Sequence, residues 1–346
     1  MGDTLSAIAP WDTRAWKQVD ALLLQEGISR DGNLDYTCGI FDDDYRLVAT
    51  GSCFGSTLRC FAVDKRRQGE GLLNQVVTHL MEVQAARGRF HLFVYTKCRS
   101  AGFFKDLGFS EIAQVEGTLS FLENRRNGFK DFCNRLEKQR REGKSAAIVM
   151  NANPFTLGHR YLVEKCAAEN DTVHLFILSE DASLVPFSVR KRLVQEGVAD
   201  LKNVICHESG PYMISAATFP SYFLRDEEAV ILGHARLDLA LFGSIAKSLN
   251  ISARYVGEEP TSVVTGLYNQ VMAQELPKQG IGCVIVPRRH QGGAAISAST
   301  VRALIHGGRM EQIKGLVPES TWAFFSSPEA EPVIRAIRES TQTVHY

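Results

Sequence analysis

Residues 145–164 read SAAIVMNANPFTLGHRYLVE, and the fold turns on this stretch. An apolar run of strand length, 146–151, ends on a polar turn bearing Pro154, after which 158–168 carries helix periodicity. A strand passing through a short turn into a helix opens a βα unit. The pattern then recurs: strand 173–178, helix 189–199, strand 204–206, a long helical region after Pro220, strands 253–256 and 283–286, and a last helical segment from Ser297. Alternation of this kind predicts a parallel sheet with right-handed crossovers.

In an open parallel sheet, ligands collect at the carboxyl ends of the strands, and the first strand-to-helix turn is the usual phosphate site. Asn153 to His159 occupy that turn. The helix start offers unpaired backbone N–H groups and the positive end of the dipole. Gly158 permits close backbone approach to a phosphate, and His159 can give the same anion a hydrogen bond or a charge. The competing reading is a solvated turn with a chance histidine. A second segment weighs against it. Ile296-Ser297-Ala298-Ser299-Thr300-Val301-Arg302 opens another helix, with Ser297 as N-cap. Ser299 and Arg302, three apart, share one helix face. Two helix starts are what a triphosphate requires.

The two segments resemble the HxGH nucleotidyltransferase superfamily, whose second signature, ISxSTxR, is matched at Ile296, Ser297, Ser299, Thr300 and Arg302. The first signature departs once, with Thr156 standing for its first histidine. Residues 153–164, 254–260, 219–226 and 236–238 narrow the likeness to the citrate lyase ligase family, and it extends over nearly the whole chain. The resemblance implies an ATP- and acetate-consuming, AMP-forming ligase that acetylates the thiol of the prosthetic arm on the acyl-carrier (gamma) subunit of citrate lyase. It implies catalytic roles for His159 at the α-phosphate and Arg302 at the outer phosphates. ATP contacts would come from Asn153, Pro154, Phe155, Thr156, Gly158, Ser299 and Thr300, and from Arg190 in the basic run 190–192. Mg²⁺ would be held mostly by phosphate and water. Glu258 and Glu259, after a strand, are candidates for metal, ribose or the thiol arm, or are plain surface carboxylates. Two other readings stay open: an adenylyltransferase acting on a phosphorylated cofactor precursor of the pantetheine type, and a non-catalytic carrier-binding or coenzyme-A-sensing protein.

The first third of the chain has a different grammar. Strands are expected at 34–41, 47–53 and 57–63, with the Asp42–Asp44 triplet as a turn. A helix follows with Leu72, Leu73, Val76, Val77, Leu80 and Val83 on one side, then a strand at 91–96 and a short helix at 101–107. The loop Arg66-Arg67-Gln68-Gly69-Glu70-Gly71 and the segment 101–109 resemble the two signatures of the GNAT acyltransferases. That resemblance implies a coenzyme-A-like arm bound at Arg66, Gly69 and Gly71. Phe104 stands where catalytic members usually carry a tyrosine, so the expectation is a binding or structural module.

The expected fold class is therefore α/β: a GNAT-like α+β domain (1–125), a basic connecting helix (126–144), a Rossmann-like nucleotidyltransferase domain (145–325) and a surface tail (326–346). At 346 residues, two cores are the natural division. A net charge of zero disfavours a nucleic-acid partner. No apolar run approaches the roughly 20 residues that cross a bilayer, so no membrane is expected. Eight cysteines without a CxxC pair fit neither a disulfide framework nor a zinc site, and point to a reducing cytoplasm. His174, His207 and His234 read as core or surface histidines.

Overall fold

A seven-stranded sheet organises the first part of the computed structural model, which describes residues 2–179, 183–213, 219, 227–258, 263–291 and 294–340. The chain divides into two compact units, Met1–Asp131 with Thr218–Gly233, and Phe132–Ala217 with His234–Tyr346. Strands β1 (Thr4–Ala7), β2 (Tyr36–Phe41), β3 (Leu47–Phe54), β4 (Thr57–Val63), β5 (Phe93–Thr96), β6 (Ser110–Val115) and β7 (Leu119–Glu123) lie in the order β1-β2-β3-β4-β5-β7-β6. Helices α1 (Thr13–Gln25), α2 (Leu72–Ala86) and α3 (Ala101–Asp106) accompany them, and α4 (Gly128–Glu137) follows. The triplet turn between β2 and β3 is organised by Asp42, whose Oδ1 accepts from the N–H groups of Asp44 (3.0 Å) and Arg46 (2.8 Å). All pairings are antiparallel except β4 with β5, which touch only at Thr57–Leu58 against Phe93–Val94 and then part. This is a GNAT-like α+β sheet, with a wedge between its two parallel strands.

The second unit carries β8 (Ser145–Met150), β9 (Thr172–Ile177), β10 (Val204–Glu208), β11 (Ile251–Gly257) and β12 (Gly282–Val286), all parallel, in the order β10-β9-β8-β11-β12. Helices α5 (Leu157–Glu169), α6 (Phe187–Gly197), α7 (Glu227–Leu249) and α8 (Val263–Glu275) connect them. A small hairpin, β13 (His290–Gln291) and β14 (Ala294–Ala295), leads to α9 (Ala298–His306), and α10 (Glu319–Phe325) and α11 (Glu331–Glu339) follow. The sheet is built outward from β8 in both directions, so the switch point of its topology lies between β8 and β11. Both faces are covered, and all six residues of β9 are buried.

Three expectations are corrected here. The basic connecting helix is ten residues long, anchored by Phe132 and Leu136, and does not run on to Gly143, whose φ of 88° is left-handed. The segment read as a surface tail packs inward: Ala330, Val333, Ile334 and Ile337 join the core of the second unit. Its residues at i, i+1 and i+4 form one apolar stripe, and such a stripe seeks a partner. The long helix α7 is, over Glu228–Leu249, apolar enough by length and composition to span a bilayer, with mean hydropathy 1.4. Of that window, 56% is buried inside the protein. It also carries Asp238, which accepts a buried hydrogen bond from Arg254 Nη1 at 3.0 Å. Segment 220–226 and residues Glu259 and Pro260 lie outside the described residues.

The histidines read as core residues are buried. His174 Nδ1 and His207 Nε2 share a hydrogen bond of 2.9 Å. Burial pushes both rings down, to about 4 and about 3, so the pair is neutral near pH 7.

Candidate nucleotide-binding site

β8 ends at Met150, and the next six residues turn the chain into α5. Thr156 is its N-cap, with extended backbone, and its Oγ1 accepts from His159 N–H at 3.3 Å. The reciprocal bond comes from the histidine: Thr156 N–H donates to His159 Nδ1 at 3.1 Å. A backbone N–H can only donate, so Nδ1 accepts and the ring proton sits on Nε2. Thr156 Oγ1 lies 3.0 Å from the same Nδ1 and completes the box. Phe155, fully buried, stacks beneath the imidazole at 5.9 Å between centroids and 12° between planes. Burial first, then the charges of Arg288 and Arg302, push the His159 pKa down to about 4. The histidine is therefore a neutral hydrogen-bond donor, not a cation. Of the two properties sequence allowed it, structure keeps one.

The second helix start meets the first. Ser297 caps α9, accepting from Thr300 N–H at 3.1 Å, and its Oγ lies 2.9 Å from Ser299 Oγ and 2.8 Å from Thr300 Oγ1. Arg302 Nη1 donates to the carbonyl of Asn153 at 2.6 Å, bridging 149 positions of sequence. The Asn153 side chain is occupied in the loop, with Oδ1 accepting from Val185 N–H at 3.1 Å. Gly158 explains how the segments come so close. A Cβ built on it would stand 2.7 Å from the carbonyl oxygen of Ile296. Its missing side chain serves the meeting of the two helix starts; a phosphate need not be invoked.

Between these segments, at the carboxyl ends of β8, β11 and β12, lies a cavity of about 600 Å³. Asn153, Thr156, Gly158, His159, Ser299, Thr300 and Arg302 line it. Three residues expected there do not. Pro154 and Phe155 are buried beneath the turn. Arg190 is wholly buried and braces the strand ends, donating through Nε to Val185 O (3.0 Å) and through Nη1 to Asn151 O (2.9 Å) and Leu178 O (2.8 Å). Its neighbours Lys191 and Arg192 form surface ion pairs with Glu208 and Glu329. The signal was present in the sequence: Arg190, Leu193, Val194 and Gly197 fall at i, i+3, i+4 and i+7, and all four are buried. Arg190→Ala should thus lower stability by about 3 kcal/mol or more, because buried carbonyls lose their donors. Thermal denaturation checks this; intact stability in Arg190→Ala would mean that the three carbonyls do not depend on the guanidinium.

Sequence reading missed Arg288 and Arg289, which follow β12 and line the cavity. Their signal was position, directly after a strand at the ligand edge of the sheet.

In the first unit, the wedge between β4 and β5 opens a cavity of about 510 Å³, lined by Gln68, Gly69, Gly71, Phe61, Phe103 and Phe104 among others. Gly69 and Gly71 have φ of 89° and 76°, left-handed values suited to glycine. Gly71 caps α2 without a side-chain bond, so the helix start presents backbone N–H groups. Arg66 is not at this cavity; it is exposed and paired to Asp64 at 2.6 Å. Arg67 takes its place in the lining, while also pairing with Asp3 and Glu70. Phe104 lines the wedge within an aromatic group, its ring 5.3 Å from Phe61 and 5.5 Å from Phe103.

A parallel sheet ordered third-second-first-fourth-fifth, with its cavity at the switch point, joins a GNAT-like sheet in one chain and defines an α/β protein with a Rossmann-like second unit. The chain belongs to the citrate lyase ligase family: residues 145–325 match the citrate lyase ligase C-terminal domain. It is 38% identical over 312 residues to a citrate pro-3S-lyase ligase of Klebsiella pneumoniae, covering 88% of this chain and 91% of that protein. Proteins of the same description from Haemophilus influenzae (36%; 88% and 92% covered) and Escherichia coli (34%; 92% of each) are similar over the same extent. Among solved structures, a putative acyl-CoA N-acyltransferase from Klebsiella pneumoniae aligns at 17% identity and TM-score 0.30, covering 35% of this chain and 95% of the other. A putative N-acetyltransferase from Lactobacillus plantarum aligns at 17% and 0.31, covering 36% and 97%.

Proposed function

We propose that this chain activates citrate lyase by acetylating the thiol of the prosthetic arm on its acyl-carrier subunit, at the expense of ATP and through an acetyl-adenylate. The observation that carries the reading is the junction of two helix starts around one cavity, with the Nε2–H of His159 and the guanidinium of Arg302 both in its lining. In the first step an acetate oxygen bonds to the α-phosphorus and the bond to the β-phosphate bridge breaks, releasing pyrophosphate. In the second, the carrier thiol loses its proton, sulfur bonds to the acetyl carbon, and AMP departs. The first step needs positioning and charge neutralisation more than a protein nucleophile.

His159 is assigned to the α-phosphate, where a preorganised N–H meets charge as it develops. Arg302, Ser299 and Thr300 are assigned to the β- and γ-phosphates, the guanidinium matching a phosphate edge. Among the described lining residues Glu258 is the one carboxylate, which fits a Mg²⁺ ion held chiefly by phosphate oxygens and water. Thr156 acts through His159, fixing its tautomer. For the carrier arm we assign the wedge of the first unit, with Gly69 and Gly71 aiming backbone N–H groups at phosphate and Arg67 beside them in place of Arg66. Phe104 has no proton to give a departing thiolate, which favours binding over transfer there.

Exchange of labelled pyrophosphate into ATP tests the reading. Exchange that depends on acetate is expected. Exchange requiring a phosphorylated acceptor and indifferent to acetate would replace the ligase with a plain adenylyltransferase, a reading that likeness to ligases through both units disfavours.

A further inference from the structure

Besides the residues already assigned, the cavity lining holds two basic side chains from the far side of the switch point, and one is built into the site. Arg288 follows β12, two strands from the one that leads to His159. Its Nε donates to the carbonyl of Glu258 at 2.7 Å, fixing the guanidinium against the carboxyl end of β11. That end is itself tied to β12, since Glu258 N–H donates to Val286 O at 2.8 Å. One residue further on, the carbonyl of Arg289 accepts from Ile296 N–H at 3.0 Å, and the β13–β14 hairpin closes the connection. The loop bearing Arg288 is therefore bonded directly to the segment that leads into α9, where Ser299, Thr300 and Arg302 stand.

We propose that Arg288 is a further pyrophosphate-binding residue, gripping from the β12 side the same phosphates that α9 holds. The inference rests on the nucleotide-site reading above and names one more group in it. Two competing roles are a purely structural tie to Glu258 and capture of the acetate carboxylate. The backbone bond from its loop to the start of α9 favours the phosphates, because whatever positions that helix positions Arg288 with it. The depressed pKa of His159, whose largest charge contribution comes from Arg288, shows that the two side chains sense one another electrostatically.

The test uses the full chain and inorganic pyrophosphate. In Arg288→Gln, calorimetric affinity for pyrophosphate should fall by about 10- to 100-fold, the range of a lost charge-assisted contact. The Michaelis constant for acetate in exchange should move less than about threefold, within the spread expected of a group that does not touch the acid. Arg288→Lys should recover part of the loss, because it keeps the charge without the planar fork. The His159 ring, followed by NMR, should titrate higher in Arg288→Gln. Unchanged pyrophosphate affinity in a folded Arg288→Gln protein, or a defect confined to acetate, overturns the proposal. Pyrophosphate binding by the unaltered chain without acetate-dependent exchange would instead sink the ligase reading and leave Arg288 standing. No pyrophosphate binding by the unaltered chain would remove both.

Discussion

His159→Ala is expected to cut acetate-dependent pyrophosphate exchange by about 10²- to 10³-fold, the usual loss when one preorganised donor to developing charge is removed. The chain should remain folded, because the substitution removes one half of a helix cap and a stacking partner of Phe155, a cost of about 1 kcal/mol. A sharper form of the test follows from the tautomer. Nδ1 is held by the Thr156 N–H, so the group facing the ligand is a neutral Nε2–H. Glutamine can place an amide N–H near that point without charge, whereas lysine brings charge without the geometry. His159→Gln should therefore exceed both His159→Ala and His159→Lys, by about tenfold if the single donor is what matters. The sign of the pH dependence agrees. A folded-state pKa near 4 lies below the ordinary value of 6.5, so protonation of this ring should not depress exchange between about pH 5 and pH 7. Measured exchange that follows charge, with Lys best, would dismiss the neutral-donor assignment.

The parallel sheet was legible because a strand buried on both faces leaves an uninterrupted apolar run, as 146–150 does, and because turns with Pro154 or Gly158 mark its ends. The start of α9 was legible because capping needs particular side chains: Ser297 was read as an N-cap and is one, whereas Thr156, the cap of α5, was read only as a phosphate contact. What stayed hidden shares a cause. Partners distant in sequence decide whether a polar residue faces in or out. Arg190 matches its neighbours Lys191 and Arg192 in charge; its spacing to Leu193, Val194 and Gly197 marks a buried face, but not the carbonyls of Asn151, Leu178 and Val185 that receive it there. Arg66 and Arg67 are adjacent in sequence, and only the wedge separates the one that lines it from the one paired to Asp64. Helix α8 went unseen, although Asn269 from it donates to Gly257 O at 3.0 Å, at the edge of the cavity. A helix recognised by its floor contacts leaves little trace in periodicity alone.

Gly158→Ala sets two effects of opposite sign against each other, and their separation is informative. The backbone at 158 is not left-handed and lies in the first turn of α5, so alanine is favoured there by up to about 1 kcal/mol in helix propensity. Against this, the new Cβ would stand 2.7 Å from the Ile296 carbonyl oxygen, a backbone atom that cannot swing aside as a side-chain tip can. The overlap is relieved only if the start of α5 and the segment leading into α9 move apart by several tenths of an ångström. Helix gain and displacement cost offset one another, and the melting temperature should change little. Catalysis has no such compensation. His159 sits one residue beyond the glycine, and Ser299, Thr300 and Arg302 follow Ile296, so the movement opens the gap between the two groups assigned to one polyphosphate. A misplacement of about 1 Å costs about 10²-fold in rate, so a movement of several tenths should cost exchange about tenfold. Gly102→Ala, in a helix of the other unit with nothing within 4 Å of the added carbon, should leave exchange near its normal level. A Gly158→Ala enzyme with near-normal exchange would mean that the two helix starts need not meet. A stable but inactive one would locate the function in their meeting.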